Sequence, residues 1–186
     1  MKRFKNLALG LSLVTVAVVG APAGALADDA EVSGEINGGS LSLSTDATPS
    51  FEATLNGADQ IETYSIPSVL SDTSGSGAGW NTTFTSTQFT SAAGSRTLAS
   101  SASTMTSLVN TCAPGAECTD ETNAVVLPVN VPAGVTAPTA VKYHNATANT
   151  GLGVFDHTPT TSVALPADTF AGSYTSTVTL ASVAGP

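Results

Sequence analysis

DTSGSGAGWNTTFTS, residues 72–86, changes character at its midpoint. Its first half is built of Gly and Ser behind Asp72, the composition of a turn. The second half alternates: Trp80, Thr82, Phe84 and Ser86 share one face of an extended chain, and Asn81, Thr83 and Thr85 share the other. Threonine and aromatic residues favour a pleated, half-buried surface. A glycine-rich turn feeding a strand is therefore the local reading. Trp80 is the single tryptophan of the chain. As a core anchor it can bury up to about 250 Å². As an exposed ring it can stack on the apolar face of a pyranose, with Gly75, Gly77 and Gly79 letting backbone approach a polymer. The alternation favours the core, and Asp72 is expected to close the turn with its own carboxylate.

The pattern recurs outward from this stretch. Leu41 and Leu43 alternate with serines. Residues 51–55 form a candidate strand ended by Asn56-Gly57, and residues 60–66 another, stopped by Pro67. Residues 91–107 are rich in Ala, Ser and Thr and fit strand, loop or short helix. Residues 123–131 carry the clearest alternation, through Val125, Leu127, Val129 and Val131, with Pro128 marking an edge or bulge. Residues 140–144 and 161–165 are shorter candidates, and residues 172–182 close the series. Along that last run Tyr174, Ser176, Val178 and Leu180 share a face. Nothing in the sequence has the periodicity of an amphipathic helix. The expected fold is all-β: a single-domain sandwich or barrel of about 8–10 short antiparallel strands over residues 40–186.

The first residues predict export. Lys2, Arg3 and Lys5 precede an apolar run of about 14 residues, which is short for a membrane span. Small residues ending in Ala25-Leu26-Ala27 match the pocket of a signal peptidase, so residues 1–27 are read as a signal peptide cleaved after Ala27. Residues 28–39 form an acidic, Gly-rich leader. The mature chain has no membrane-span candidate and is expected to be secreted, free or held on a surface without a covalent bond. It keeps only Arg96 and Lys142 against all 14 acids. That balance excludes nucleic acid as a partner and disfavours anionic lipid. A neutral or cationic polymer, such as a cell-wall polysaccharide, or another surface protein fits better. Ser and Thr make up roughly 30% of the mature chain, far above ordinary usage.

Few residues carry chemistry. Cys112 and Cys118 bracket APGAE, whose Pro114-Gly115 turns the chain back, so a disulfide is expected. Two cysteines without neighbouring histidines make a poor zinc site, and no metal or cofactor is expected. His144 and His157 are the only histidines; with Asp156 they can be imagined in a triad, but no G-x-S-x-G elbow is present and surface-loop histidines are the plainer reading. Asn81 and Asn145 head glycosylation sequons. The chain is expected to be non-enzymatic.

The segment from Asp72 to Trp80 resembles the D-x-R-G-x-G-x-G-W segment of the WxL-domain family. Gly38-Gly39-Ser40-Leu41-Ser42-Leu43 resembles that family's opening strand, Gln88-Phe89 falls where a Gln often follows the first Trp strand, and Ala171-Gly172-Ser173-Tyr174-Thr175-Ser176-Thr177 resembles the terminal strand. The resemblance implies a β-domain exported by a Gram-positive bacterium and associated non-covalently with peptidoglycan. It singles out Trp80, Asp72, Gly75, Gly77 and Gly79 as binding candidates. This sequence is a divergent case: Ser74 stands for the usual Arg, the first W-x-L reads Trp80-Asn81-Thr82, and the second falls on Leu180-Ala181-Ser182. An adhesin- or pilin-like subunit assembling by strand pairing is the alternative expectation.

Overall fold

The computed structural model describes residues 30–186, so the expected signal peptide and its cleavage after Ala27 lie outside the described residues. Residues 30–35 are exposed and carry no strand. Ile36–Pro186 form the β unit. Its strands are β1 (Leu41–Ser44), β2 (Gln60–Ser65), β3 (Ser68–Asp72), β4 (Trp80–Thr87), β5 (Thr90–Ser91), β6 (Ser103–Cys112), β7 (Val129–Asn130), β8 (Ala133–Gly134), β9 (Val141–Ala146), β10 (Gly153–Leu165), β11 (Tyr174–Thr175) and β12 (Val178–Ala184). The described residues contain no helix, and the fold is all-β as expected, with sheets packed in the manner of a β-sandwich.

One sheet runs β1-β3-β10-β6-β7, with β2 also paired to β10. The second runs β12-β4-β8, with β9 also on β4, and β5 with β11 forms a small ribbon. Strand β10 organises the first sheet. From Phe155 to Leu165 every second residue is buried, through His157, Pro159, Thr161 and Val163. Pro159 lies inside this central strand, where a missing N–H ordinarily breaks the ladder. The break is compensated locally. Pro159 accepts from the Ile66 N–H at 3.0 Å. The Ile66 carbonyl, facing a residue with no N–H to give, accepts instead from the Ser68 hydroxyl at 3.0 Å. Pro67 divides β2 from β3 at this same point, so two prolines are absorbed at one gap in the edge. The sequence pattern identified only residues 161–165 of this 13-residue strand.

Two apolar clusters fill the interior. The larger gathers Tyr64, Ile66, Phe84, Met105, Tyr143 and Val163 with their neighbours, and the smaller gathers Leu70, Trp80, Ala146 and Phe155. Strand β4 runs across both: its alternation buries Trp80, Thr82 and Phe84, as the sequence implied.

Two expected strands are absent. Residues 51–55 are irregular, and of residues 123–131 only β7 pairs. The reason is visible at Asn123. Its Oδ1 accepts from the Val125 N–H at 3.0 Å and the Asn145 N–H at 3.2 Å, and the Asn145 Oδ1 accepts from the Ala124 N–H at 3.0 Å. Side-chain amides thus take over the role of a ladder, the competition typical of Asn. The leader is also shorter than expected, since Gly39 already donates to the Thr73 carbonyl at 2.8 Å.

Candidate functional site

Of the residues singled out in the opening stretch, Asp72, Gly79 and Trp80 are buried, Gly77 is half-buried and Gly75 is exposed. Asp72 is 3% exposed. One of its carboxylate oxygens accepts from the Ser74 hydroxyl at 2.6 Å and the Ser74 N–H at 3.1 Å, closing the expected turn. The next serines repeat the device: Ser76 N–H donates to the Ser74 hydroxyl at 3.3 Å and Ala78 N–H to the Ser76 hydroxyl at 3.2 Å. Gly75, Gly77 and Gly79 all have positive φ between these links, which explains a glycine at every second position. At Gly79 a Cβ would also overlap the Ala146 carbonyl.

Trp80 is 0% exposed. Its indole N–H donates to the Gly151 carbonyl at 2.8 Å. Its ring meets Phe155 edge-on, centroids 6.4 Å apart, and His144 at 5.4 Å. A ring with no exposed face offers no platform to a sugar, so of the two readings the core anchor holds. The exposed-platform role for Trp80 is corrected accordingly; Gly79 is buried with it, whereas Gly75 lies exposed on the turn. Gly151 is held at positive φ, and a Cβ there would meet the Trp80 ring nitrogen at 2.7 Å.

The cysteines are joined as expected, with Cα atoms 5.9 Å apart. Neither sequon asparagine is free. Asn81 donates to the Gly185 carbonyl at 2.7 Å, and Asn145 is buried and bound to Ala124.

The histidines are the main correction. Both were expected on surface loops, and both are buried, His144 at 5% and His157 at 0% exposure. Neighbouring positions on a strand face opposite ways, so His157 points inward and Asp156 outward, and the imagined triad does not form. A hydrogen-bonded chain runs through the interior instead. Tyr143 Oη lies 2.8 Å from His157 Nε2, and His157 Nδ1 lies 2.8 Å from Asn110 Oδ1. Asn110 Nδ2 donates to Glu121 Oε1 at 3.0 Å. The carboxylate, which only accepts, fixes the direction of the whole chain. It turns the Asn110 amide nitrogen toward itself and the amide oxygen toward His157. The His157 proton therefore sits on Nδ1, and Nε2 accepts from the Tyr143 hydroxyl. Burial holds His157 neutral, pushing it down to about 3, with His144 adding to the effect. Burial likewise lowers His144, against an opposing pull from Glu121. The Tyr143 hydroxyl is pushed well above its ordinary range by burial.

Among the described residues, two concavities stand out at the surface. The larger, about 950 Å³, is lined by Phe51, Tyr64, Phe89, Phe170 and Tyr174 among others. Phe51 stacks on Tyr64 with centroids 6.4 Å apart and meets Phe89 edge-on at 5.6 Å. Phe170 is 61% exposed, with the Arg96 guanidinium 3.2 Å from its ring centre and its carbonyl held by the Tyr174 hydroxyl at 3.0 Å. The smaller, about 460 Å³, opens over Glu121 and His144. Sequence reasoning missed the larger groove because it assigned residues 51–55 to a strand. Phe51 and Phe170 are far apart in sequence and lie in irregular segments, where periodicity carries no signal.

The strands that hold Trp80 and Leu180 are direct neighbours: β12 pairs β4 antiparallel, placing Leu180 opposite Phe84 and Ala184 opposite Trp80. No family model, curated protein or solved structure matches this chain.

Proposed function

We propose that the protein is an exported, non-catalytic β-domain that attaches to the bacterial cell surface by binding wall polysaccharide in the aromatic groove. The observation that carries this reading is the groove itself. Phe51, Phe89, Phe170 and Tyr174 offer several ring faces and edges along one open channel. Sugar rings present apolar C–H faces that pack on such surfaces, and the size lies within the range of ordinary ligand clefts. The scarcity of positive charge agrees with a neutral or cationic polymer rather than an anionic one. His157, fully buried with both ring nitrogens engaged, has no route to a substrate, which supports a binding role over catalysis. The WxL resemblance gives the same address, non-covalent attachment to the peptidoglycan of a Gram-positive wall, while the buried Trp80 moves the contact from that residue to the groove.

The test is co-sedimentation of the mature chain with purified cell walls, alongside Phe170→Ala. Phe170 is largely exposed, so its truncation leaves the core intact. The wild type is expected in the pellet and the variant mainly in the supernatant. A wild type that stays in solution at every salt concentration, or a variant that pellets equally, overturns the assignment.

A further inference from the structure

The smaller pocket shares no lining residue with the groove. Its floor is Glu121, Asn110 and His144, and its wall is apolar, from Leu108, Val125 and Leu127. Three observations bear on what it takes. First, the Glu121 side chain is only 20% exposed, and no Lys or Arg pairs with it among the described residues. Its one basic neighbour is His144 Nε2 at 3.6 Å, too long for a hydrogen bond, and burial disfavours charge on that ring. A carboxylate so placed lacks a counter-charge. Second, neither ring nitrogen of His144 has a hydrogen-bond partner among the described residues, although both atoms are buried. Third, the pocket is far larger than an ion and apolar along one side.

We propose that this pocket binds a primary ammonium group on an aliphatic stem. The ammonium has three N–H donors and no acceptor. It supplies the positive charge that Glu121 lacks and donates to a carboxylate oxygen, with the neutral His144 ring close by to report its arrival. Its stem lies against Leu108, Val125 and Leu127. A guanidinium suits the site less, because Asn110 already holds Glu121 Oε1 and the bidentate fork loses one tine. A divalent metal suits it less again: among the described residues no cluster of three His, Cys, Asp or Glu side chains could hold one. The same chemistry occurs on a free alkylamine and on a lysine side chain of a polypeptide.

The experiment follows the His144 ring signals of the full mature chain by NMR. The titrants are n-butylammonium, the capped peptide acetyl-Gly-Lys-Gly-amide, tetramethylammonium and zinc chloride. A saturable shift at His144 with butylammonium or with the peptide supports the site. A response to the peptide alone identifies a polypeptide lysine as the source, and a response to butylammonium alone a small amine. Glu121→Gln keeps an oxygen for Asn110 and should weaken binding at least about tenfold, the scale of one charged hydrogen bond. Val126→Trp, made at an exposed position on the rim, should block entry without touching the floor. The proposal is overturned by no saturable shift with either amine, by an equal response to tetramethylammonium, which has no N–H, or by a response to zinc alone. Binding undiminished in both variants overturns it as well.

Discussion

Replacing Trp80 with alanine tests the central structural claim, that the one tryptophan belongs to the scaffold. The ring is 0% exposed and fills the smaller cluster between Leu70, Ala146 and Phe155. Truncating a buried Trp to Ala costs about 3–5 kcal/mol, because the lost transfer energy adds to a cavity the fold cannot close. The Gly151 carbonyl also loses its 2.8 Å donor. Against a total stability of about 5–15 kcal/mol, this is about a fifth or more of what holds a typical domain together. Trp80→Phe separates the two contributions: it keeps most of the ring and removes the N–H, for an expected loss of about 1–3 kcal/mol. Guanidinium unfolding followed by far-UV circular dichroism measures both, since the variants have no tryptophan fluorescence to follow. In the wild type that fluorescence should be poorly quenched by acrylamide. Should Trp80→Ala unfold cooperatively with a loss below about 1 kcal/mol, the burial argument fails.

Three further outcomes are expected. Serine at both Cys112 and Cys118 should cost about 2 kcal/mol, the chain-entropy value for so short a loop, read as the difference in denaturation midpoint from the oxidised wild type; an unchanged midpoint contradicts it. His157 takes no proton in the folded state until about pH 3, whereas an unfolded imidazole takes one near 6.5. Its contribution is thus fully present above pH 6.5 and falls as the pH drops toward 3, by at most about 1.4 kcal/mol per pH unit. Urea unfolding at a series of acidic pH values should show a shallower acid limb for His157→Gln than for the wild type, and equal slopes refute the assignment. Gly75→Ala, with φ of +64° and open space around it, should cost about 1–2 kcal/mol. Gly79→Ala also drives a Cβ into the Ala146 carbonyl, so its melting temperature should fall by clearly more; equal losses would mean that the turn yields at Gly79.

The legible parts of the sequence are those where local chemistry and long-range packing agree. The faces of β4 and β12, the Asp72 turn and the disulfide each rest on residues within a few positions of one another. His144 and His157 were not legible in their immediate surroundings, KYHNA and FDHTP, which look like polar loop. The available signal was the step of two from Phe155 through His157, Pro159 and Thr161 to Val163. Reading it required keeping Pro159 inside a strand, and the reason it can stay there is a hydroxyl more than 90 positions away in sequence, Ser68. Residues 123–131 failed in the opposite direction. Their alternation is real, but the Asn123 side chain takes backbone N–H groups that a ladder would otherwise use. The Glu121 pocket and the aromatic groove are assembled from segments that meet only in the folded chain, so neither had a local signature.

The positions matching the two W-x-L segments can now be weighed physically. Trp80 is fully buried, and Leu180, standing where the second tryptophan of the resemblance falls, is half-buried against the larger cluster and paired to Phe84 on the neighbouring strand. Both side chains therefore face packing rather than solvent. A tryptophan in place of Leu180 would chiefly change how two adjacent strands fill the interior. Such a difference is one of core volume, which hydrophobic interiors tolerate when neighbours compensate. It follows that keeping one tryptophan and lacking the other says little about whether this chain holds a surface polymer. That capacity has to reside in groups with exposed faces, and Phe170 beside Arg96, at the mouth of the groove, is such a group.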